Sequence, residues 1–242
     1  FLGEGCFELQ SKNIEKFHAS QKEKIKIIET SKGVKCWRKS VPIEKIGLYI
    51  PGGSAPLFST ILMLGVPAKL AGCKEIILCT PPQSNEKINA AILYTAKLVG
   101  INKIFKVGGA QAIAAMAFGT ESIPKVYKIF GPGNQYVTCA KQLVQKNGVC
   151  IDMPAGPSEV ALLADSSCVP SFVAADLLSQ AEHGIDSQVI LVSDSEKTIT
   201  QVLEELLIQL EQLPRKEIAI KSLKKSKAIL VKNKQEAIKL LN

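Results

Sequence analysis

Arginine is scarce in this sequence: only Arg38 and Arg215 occur, and the remaining basic residues are lysines. Arginine is the side chain preferred for forked contacts to phosphates and bases. The lysines are spread along amphipathic segments such as 15–29 and 215–229, a pattern typical of solvated helix faces. The net charge of +8 therefore does not indicate a nucleic-acid-binding protein, and we expect no nucleic acid partner.

Uninterrupted apolar runs are also missing. The longest runs, such as residues 57–72, are broken by serine, proline, lysine and glycine, whereas a membrane-spanning helix needs about 20 mostly apolar residues. The first residues have neither the basic start nor the small-residue cleavage site of a signal peptide. We therefore expect no membrane association. The missing initiator methionine leads us to expect an upstream portion.

The seven cysteines form no CxxC pair, and an odd number cannot all join in disulfides. This usage favours a reducing, cytoplasmic compartment. Most of the cysteines lie in apolar segments, so we interpret them as small buried hydrophobic residues rather than nucleophiles. They are Cys6, Cys36, Cys73, Cys79, Cys139, Cys150 and Cys168.

Short apolar segments alternate with helical ones from residue 44 onward. This alternation predicts parallel βαβ units and an α/β fold. The predicted strands are 46–51, 75–80, 103–107, 126–130, 149–153, 160–164, 188–193 and 228–232. The predicted helices are 10–30, 56–71, 85–99, 110–118, 134–146, 171–183, 196–212 and 234–242.

Glycine-rich junctions follow three of these strands, in 49–56, 107–115 and 130–138. Glycine lets the backbone approach a ligand closely, and the next helix offers free N–H groups to a phosphate. In a parallel sheet such junctions meet at the carboxyl edge, where ligands bind. None of them matches a GxGxxG or Walker sequence. Because tight turns also use glycine for geometry alone, the junctions favour a nucleotide site without establishing one.

A carboxamide and an imidazole occur close together at the end of the predicted helix 171–183. Gln180 and His183 are three positions apart, so they can reach one metal ion or ligand from the same helix face, with Asp176 one turn earlier. A histidine near a helix C-terminus more often offsets the helix dipole. Glutamine is an uncommon zinc ligand, and two ligands are too few for a closed site. On spacing alone, both interpretations remain open.

The turn PAGPSE, residues 154–159, adds the hydroxyl of Ser158 shortly before this helix, although such a serine often bonds its own backbone. Over residues 151–184, IDMPAGPSEVALLA followed by VAADLLSQAEHG resembles histidinol dehydrogenase. Four further segments are similar to the same family in the same order: GLYIPGGSAPLFST, AGCKEIILCTPP, VGGAQAIAAMAFGTE and KIFGPGNQYVTCAK. The likeness covers nearly the whole chain.

The resemblance implies a zinc- and NAD-dependent homodimer that oxidises L-histidinol to L-histidine. Two hydride transfers, with histidinaldehyde between them, would complete histidine biosynthesis. The family's contact positions fall on these residues: for NAD, Tyr49, Gln111 and Asn134; for the substrate, Ser158, Gln180 and His183; and for zinc, Gln180 and His183.

The resemblance also implies two Rossmann-like domains with a discontinuous boundary. An NAD-binding domain over 49–157 would be inserted in a zinc- and substrate-binding domain made of 1–48 and 158–242. In the family, the acid/base pair, an adjacent Glu-His, lies in a segment that begins about where this chain stops. The Asp and His that complete the zinc site from the partner subunit lie further on, and no residue here matches any of them. We therefore expect a central fragment without catalytic residues. The alternative is an α/β module that binds a nucleotide without catalysis.

Overall fold

The chain divides into two units, Phe1–Ala155 and Gly156–Asn242. The structure, a computed structural model, describes residues 4–52, 57–154, 156 and 159–242. The first unit contains α1 (Glu4–Ala19), β1 (Ile27–Ser31), β2 (Val34–Trp37), β3 (Lys45–Tyr49), α2 (Phe58–Ala71), β4 (Glu75–Thr80), α3 (Ala90–Val99), β5 (Lys103–Lys106), α4 (Gly109–Phe118), β6 (Lys128–Phe130), α5 (Gln135–Gln145) and β7 (Cys150–Ile151). The second contains β8 (Glu159–Leu163), α6 (Pro170–Ala181), β9 (Gln188–Ser193), α7 (Glu196–Gln212), α8 (Lys216–Leu223), β10 (Lys227–Leu230) and α9 (Lys234–Leu241). The predicted α/β fold is confirmed.

The first unit is built on a five-stranded parallel sheet in the order β5-β4-β3-β6-β7. This is the order of a doubly wound sheet, in which the direction of winding reverses between β3 and β6. On one face of the sheet, Ile46 and Leu48 pack with residues of α2 and α3. On the other face, Tyr49 packs with residues of α4. Since helices cover both faces of the sheet, its strands are continuously apolar.

The N-terminal helix is shorter than predicted. α1 ends at Ala19, and residues 27–31 form β1, which pairs antiparallel with β2. The turn between them contains Gly33, whose φ is 86° and whose N–H donates to Glu29 Oε1 over 2.8 Å. The helix predicted over 10–30 is therefore wrong beyond Ala19, because β-branched isoleucines and a left-handed glycine favour a hairpin there.

Residues 1–48 belong to the first unit, which differs from their expected grouping with 158–242. Phe7 of α1 packs edge-on against Phe58 of α2, with ring centroids 4.8 Å apart. β3, which begins at Lys45, is the central strand of the five-stranded sheet. A boundary just before residue 49 would therefore separate most of this strand from its own sheet.

The second unit has a three-stranded parallel sheet in the order β10-β9-β8. Leu191 of β9 packs with α6, α7 and α8 on one face. Val192 points to the opposite face, where it meets Ala237 of α9. Among the described residues of the chain, no helix is both long and apolar enough to cross a membrane.

Candidate functional site

The glycine junctions of the sequence meet at the carboxyl edge of the five-stranded sheet. The segments that follow β3, β5 and β6 leave the sheet at this edge because the strands are parallel. α4 begins at Gly109 and α5 at Gln135, so the first N–H groups of both helices lie at the same edge. Residues 53–56 of the first junction lie outside the described residues. The edge between β3 and β6 is therefore the candidate dinucleotide site.

The backbones of β3 and β6 come very close together at this edge. A Cβ atom at Gly131, which has a φ of 127°, would lie 2.0 Å from the carbonyl oxygen of Tyr49. Pro81, after β4, is also closely packed: a Cβ atom at Gly52 or at Gly108 would lie 2.6 Å from its ring. Only glycine fits these positions without a shift of the backbone or of the proline ring.

Tyr49 supports the glycine turn that leads into α4. Its side chain is 3% exposed and packs against Ile113 and Met116. Its hydroxyl accepts a hydrogen bond of 3.0 Å from the N–H of Gly109, one of the N–H groups that the helix itself leaves without a partner. Tyr49 thus joins β3 to the start of α4, and its expected contact with NAD remains a prediction.

Gln111 and Asn134 lie at the N-termini of the two helices at this edge, and both are exposed. The Gln111 side chain folds back over the start of α4, with Oε1 2.7 Å from where a Cβ atom at Gly109 would stand. Asn134 is the N-cap of α5: its Oδ1 accepts a hydrogen bond of 3.1 Å from the N–H of Val137. The cap uses the oxygen, so the amide nitrogen is the group that can still donate to a ligand.

Lys141 and Asp152 also reach this edge, and the sequence prediction missed both. Lys141 of α5 is 3% exposed and forms an ion pair with Asp152, which follows β7. Both side chains bond the backbone of Gly131. A signal was present in the sequence, because Lys141 stands four positions after Val137 and three before Val144, on the apolar face of the helix.

Gln180 and His183 stay close together in the second unit, although the helix ends earlier than predicted. α6 ends at Ala181, and His183 lies in the turn that follows. The N–H of His183 donates to the carbonyl of Gln180 over 3.1 Å. Gln180 is half-buried and His183 is exposed. Because α6 runs antiparallel to the strands it connects, both residues lie toward the amino edge of the three-stranded sheet, shortly before Gln188 begins β9.

The donors at this position fit half of a zinc site. An imidazole nitrogen and an amide oxygen can both bind zinc, which takes four ligands in most protein sites. Within the described ranges, no group of three or more His, Cys, Asp and Glu side chains could hold a metal ion. Ser158 lies outside the described residues; the next residue, Glu159, begins β8 and pairs with Gln188. A closed zinc site would need ligands besides Gln180 and His183.

The cysteines are more exposed than expected. The prediction that most of them are buried is wrong, because Cys79 alone of the seven is buried and four are exposed. Burial raises the pKa of the Cys79 thiol to about 12, so this thiol stays protonated at neutral pH and is a poor nucleophile. All seven cysteines are free thiols.

Comparisons with known proteins agree over almost the whole chain. The family model for histidinol dehydrogenase matches residues 4–242. The chain is 66% identical over 234 residues to a histidinol dehydrogenase of Bacteroides thetaiotaomicron, a match that covers 97% of this chain and 55% of that protein. For a histidinol dehydrogenase of Shewanella oneidensis the identity is 59% over 233 residues, covering 95% and 52%. The crystal structure of histidinol dehydrogenase from Elizabethkingia anophelis is similar with a TM-score of 0.95 at 62% identity, covering 98% of this chain and 55% of that one. The chain therefore spans about half the length of these relatives.

Proposed function

Because the chain belongs to the histidinol dehydrogenase family, we propose that it forms part of an enzyme that oxidises L-histidinol to L-histidine with NAD as the hydride acceptor. The match to the family model over residues 4–242 supports this proposal. Since the chain covers 55% of its relative from Bacteroides thetaiotaomicron, the activity is proposed for the complete protein.

The proposed NAD site is the carboxyl edge of the five-stranded sheet. The observation that carries this proposal is the reversal of strand order between β3 and β6, beside the N-terminus of α5. The free N–H groups there and the positive end of the helix dipole stabilise a pyrophosphate anion. Asn134 can add a hydrogen bond from its amide nitrogen. Gln111, in the first turn of α4, is proposed as a second polar contact, and Tyr49 as a third.

The proposed zinc ligands in this chain are Gln180 and His183, which together with Ser158 are also proposed to contact the substrate. A neutral imidazole is the form of His183 that binds a metal ion. When bound, zinc would act as a Lewis acid that orients the substrate. The resemblance implies that the family's acid/base pair, an adjacent Glu-His, lies in a segment outside residues 1–242, so we assign no proton transfer to these residues.

The complete protein is proposed to be a cytoplasmic homodimer. The resemblance implies that the partner subunit supplies the remaining zinc ligands, which agrees with the two donors present in this chain. The seven free thiols support a reducing compartment.

The two histidines of the chain provide a matched test of the proposed function. In the complete protein, His183→Asn should abolish zinc retention and NADH formation from L-histidinol, because it removes the imidazole ligand. His18→Asn makes the same change at the end of α1, where the half-buried imidazole hydrogen-bonds only Gln21 among the described contacts, and should leave both unchanged. Metal analysis after dialysis, together with NADH absorbance, measures the effect. A His183→Asn protein that keeps its zinc would exclude this residue as a ligand.

The alternative function is nucleotide binding without catalysis, and the glycine junctions at one sheet edge are compatible with it. It predicts that the complete protein binds NAD but forms no NADH from L-histidinol. Zinc removal by a chelator distinguishes the two functions, because a binding module without catalysis would show no zinc-dependent activity.

A further inference from the structure

A buried lysine and an aspartate together hold both backbone polar groups of Gly131. Lys141 is 3% exposed; its ammonium contacts Asp152 Oδ1 and donates to the Gly131 carbonyl over 2.8 Å. Asp152 Oδ2 accepts a hydrogen bond from the Gly131 N–H, also over 2.8 Å. These hydrogen bonds form a closed set, hereafter the Gly131 clamp.

The burial of Lys141 argues against a direct contact with a ligand. Its ammonium already bonds two oxygens and has almost no exposed surface. A buried ammonium is costly unless it is paired, and an apolar side chain would fit this position between Val137 and Val144. The ion pair therefore contributes something that apolar packing would not, namely the orientation of Gly131.

Gly131 needs such support because the sheet does not hold it. The pairing of β6 with β3 ends at Phe130, so the polar groups of the next peptide require other partners. Gly131 has a φ of 127° and approaches the Tyr49 carbonyl closely. Three residues later Asn134 caps α5. The orientation of Gly131 therefore sets the path of the chain into the N-terminus of this helix.

We propose that Lys141 and Asp152 are positioning residues for NAD. By fixing the orientation of Gly131, the clamp positions residues 131–134 and the first N–H groups of α5 so that they can contact the pyrophosphate. This inference rests on the proposed NAD site at the same edge.

NAD titration into the complete protein tests the clamp with Lys141→Met and Asp152→Asn. Methionine keeps an apolar stem but removes the donor to the Gly131 carbonyl. Asparagine keeps an oxygen for the Gly131 N–H but loses the charge that orients Lys141. We expect NAD affinity to fall about tenfold for Lys141→Met, the scale of one lost hydrogen bond to a charged group, and less for Asp152→Asn. The KM for NAD should rise while the KM for L-histidinol stays unchanged.

Two control variants separate positioning from general stability. Val144→Ala removes part of a buried side chain of α5 and leaves every hydrogen bond of the clamp in place. Glu75→Gln breaks the ion pair with Lys103 where β4 and β5 begin, at the opposite edge of the sheet. Both controls should keep wild-type NAD affinity, even if the melting temperature falls.

Hydrogen exchange at residues 131–134 provides a second measurement, and exchange should be faster in both clamp variants than in the controls. If Lys141→Met does not fold, the NAD affinity and the hydrogen exchange of Asp152→Asn test the inference. Wild-type affinity and exchange in the folded clamp variants would overturn the inference while leaving the NAD site intact. If the unmodified protein bound no NAD, the proposed function would fail first and the clamp's role would fall with it.

Discussion

Helix capping and NAD binding can be separated at one residue, Asn134. Its Oδ1 caps α5 by accepting from the N–H of Val137 over 3.1 Å, while its amide nitrogen is the proposed donor to NAD. Asn134→Ala removes both functions. Asn134→Asp keeps an oxygen for the cap but removes the donor and adds a negative charge where the pyrophosphate would bind.

The two substitutions should therefore differ in stability but not in the direction of their effect on binding. Loss of the cap in Asn134→Ala should cost about 1 kcal/mol of stability and so lower Tm. Loss of the donor should weaken NAD binding by about 1–2 kcal/mol, roughly 5- to 30-fold in Kd. Asn134→Asp should keep Tm or raise it, because a carboxylate is favourable at a helix N-terminus. Its NAD affinity should fall at least as far as that of Asn134→Ala.

Thermal unfolding and calorimetric NAD titration, both on the complete protein, measure these effects. Asn233 is a matched control in the second unit, since it caps α9 by accepting from the N–H of Glu236 over 3.0 Å. Asn233→Ala should lower stability without changing NAD affinity, and Asn233→Asp should change neither appreciably. If Asn134→Asp bound NAD as tightly as the unmodified protein, Asn134 would be a cap alone and the reasoning would be refuted.

Two further predictions concern the 242-residue chain by itself. It should form no NADH from L-histidinol with added zinc. No residue of the chain is assigned as the general base, whose loss costs about 10²–10⁴ in rate, and only two zinc ligands are assigned to it. Sustained turnover above a no-protein blank would show that a base lies within residues 1–242. A thiol reagent at pH 8 should modify the exposed cysteines of the native protein, Cys6, Cys36, Cys139 and Cys150, but should modify Cys79 only after unfolding. Mass spectrometry measures the labelling. If Cys79 of the native protein were labelled as fast as Cys139, its burial would be contradicted. Because the pKa of Cys79 is about 12 when folded and 9.0 for a free thiol, the unfolded state loses this proton first, so the contribution of Cys79 to stability should fall as pH rises through that interval.

Local patterns predicted most elements after residue 44, because helices and buried strands differ in period and length. Strands 75–80 and 188–193 and helix 196–212 have the predicted bounds. The segment 10–30 failed because its mixture of lysines and isoleucines suits an amphipathic helix as well as a hairpin. Only its pairing with β2 distinguishes the two.

The candidate site was predictable to a similar degree. The glycine junctions were identified from residue type, and the structure places them at one sheet edge. Lys141 and Asp152 were missed because lysines in amphipathic helices are usually solvated. Their role depends on a partner that no short-range pattern specifies.

By itself, the sequence determined the α/β class and the glycine junctions, because both depend on residue types at short separations. Only the tertiary structure decided the strand order β5-β4-β3-β6-β7 and hence which junctions flank the reversal. Strand order depends on how crossovers pack segments that are distant in the chain. The Gly131 clamp has the same origin: Lys141 and Asp152 meet because α5 packs against β7. A charged residue on an apolar helix face is visible in the sequence, but the opposite charge that makes its burial tolerable is supplied by the fold.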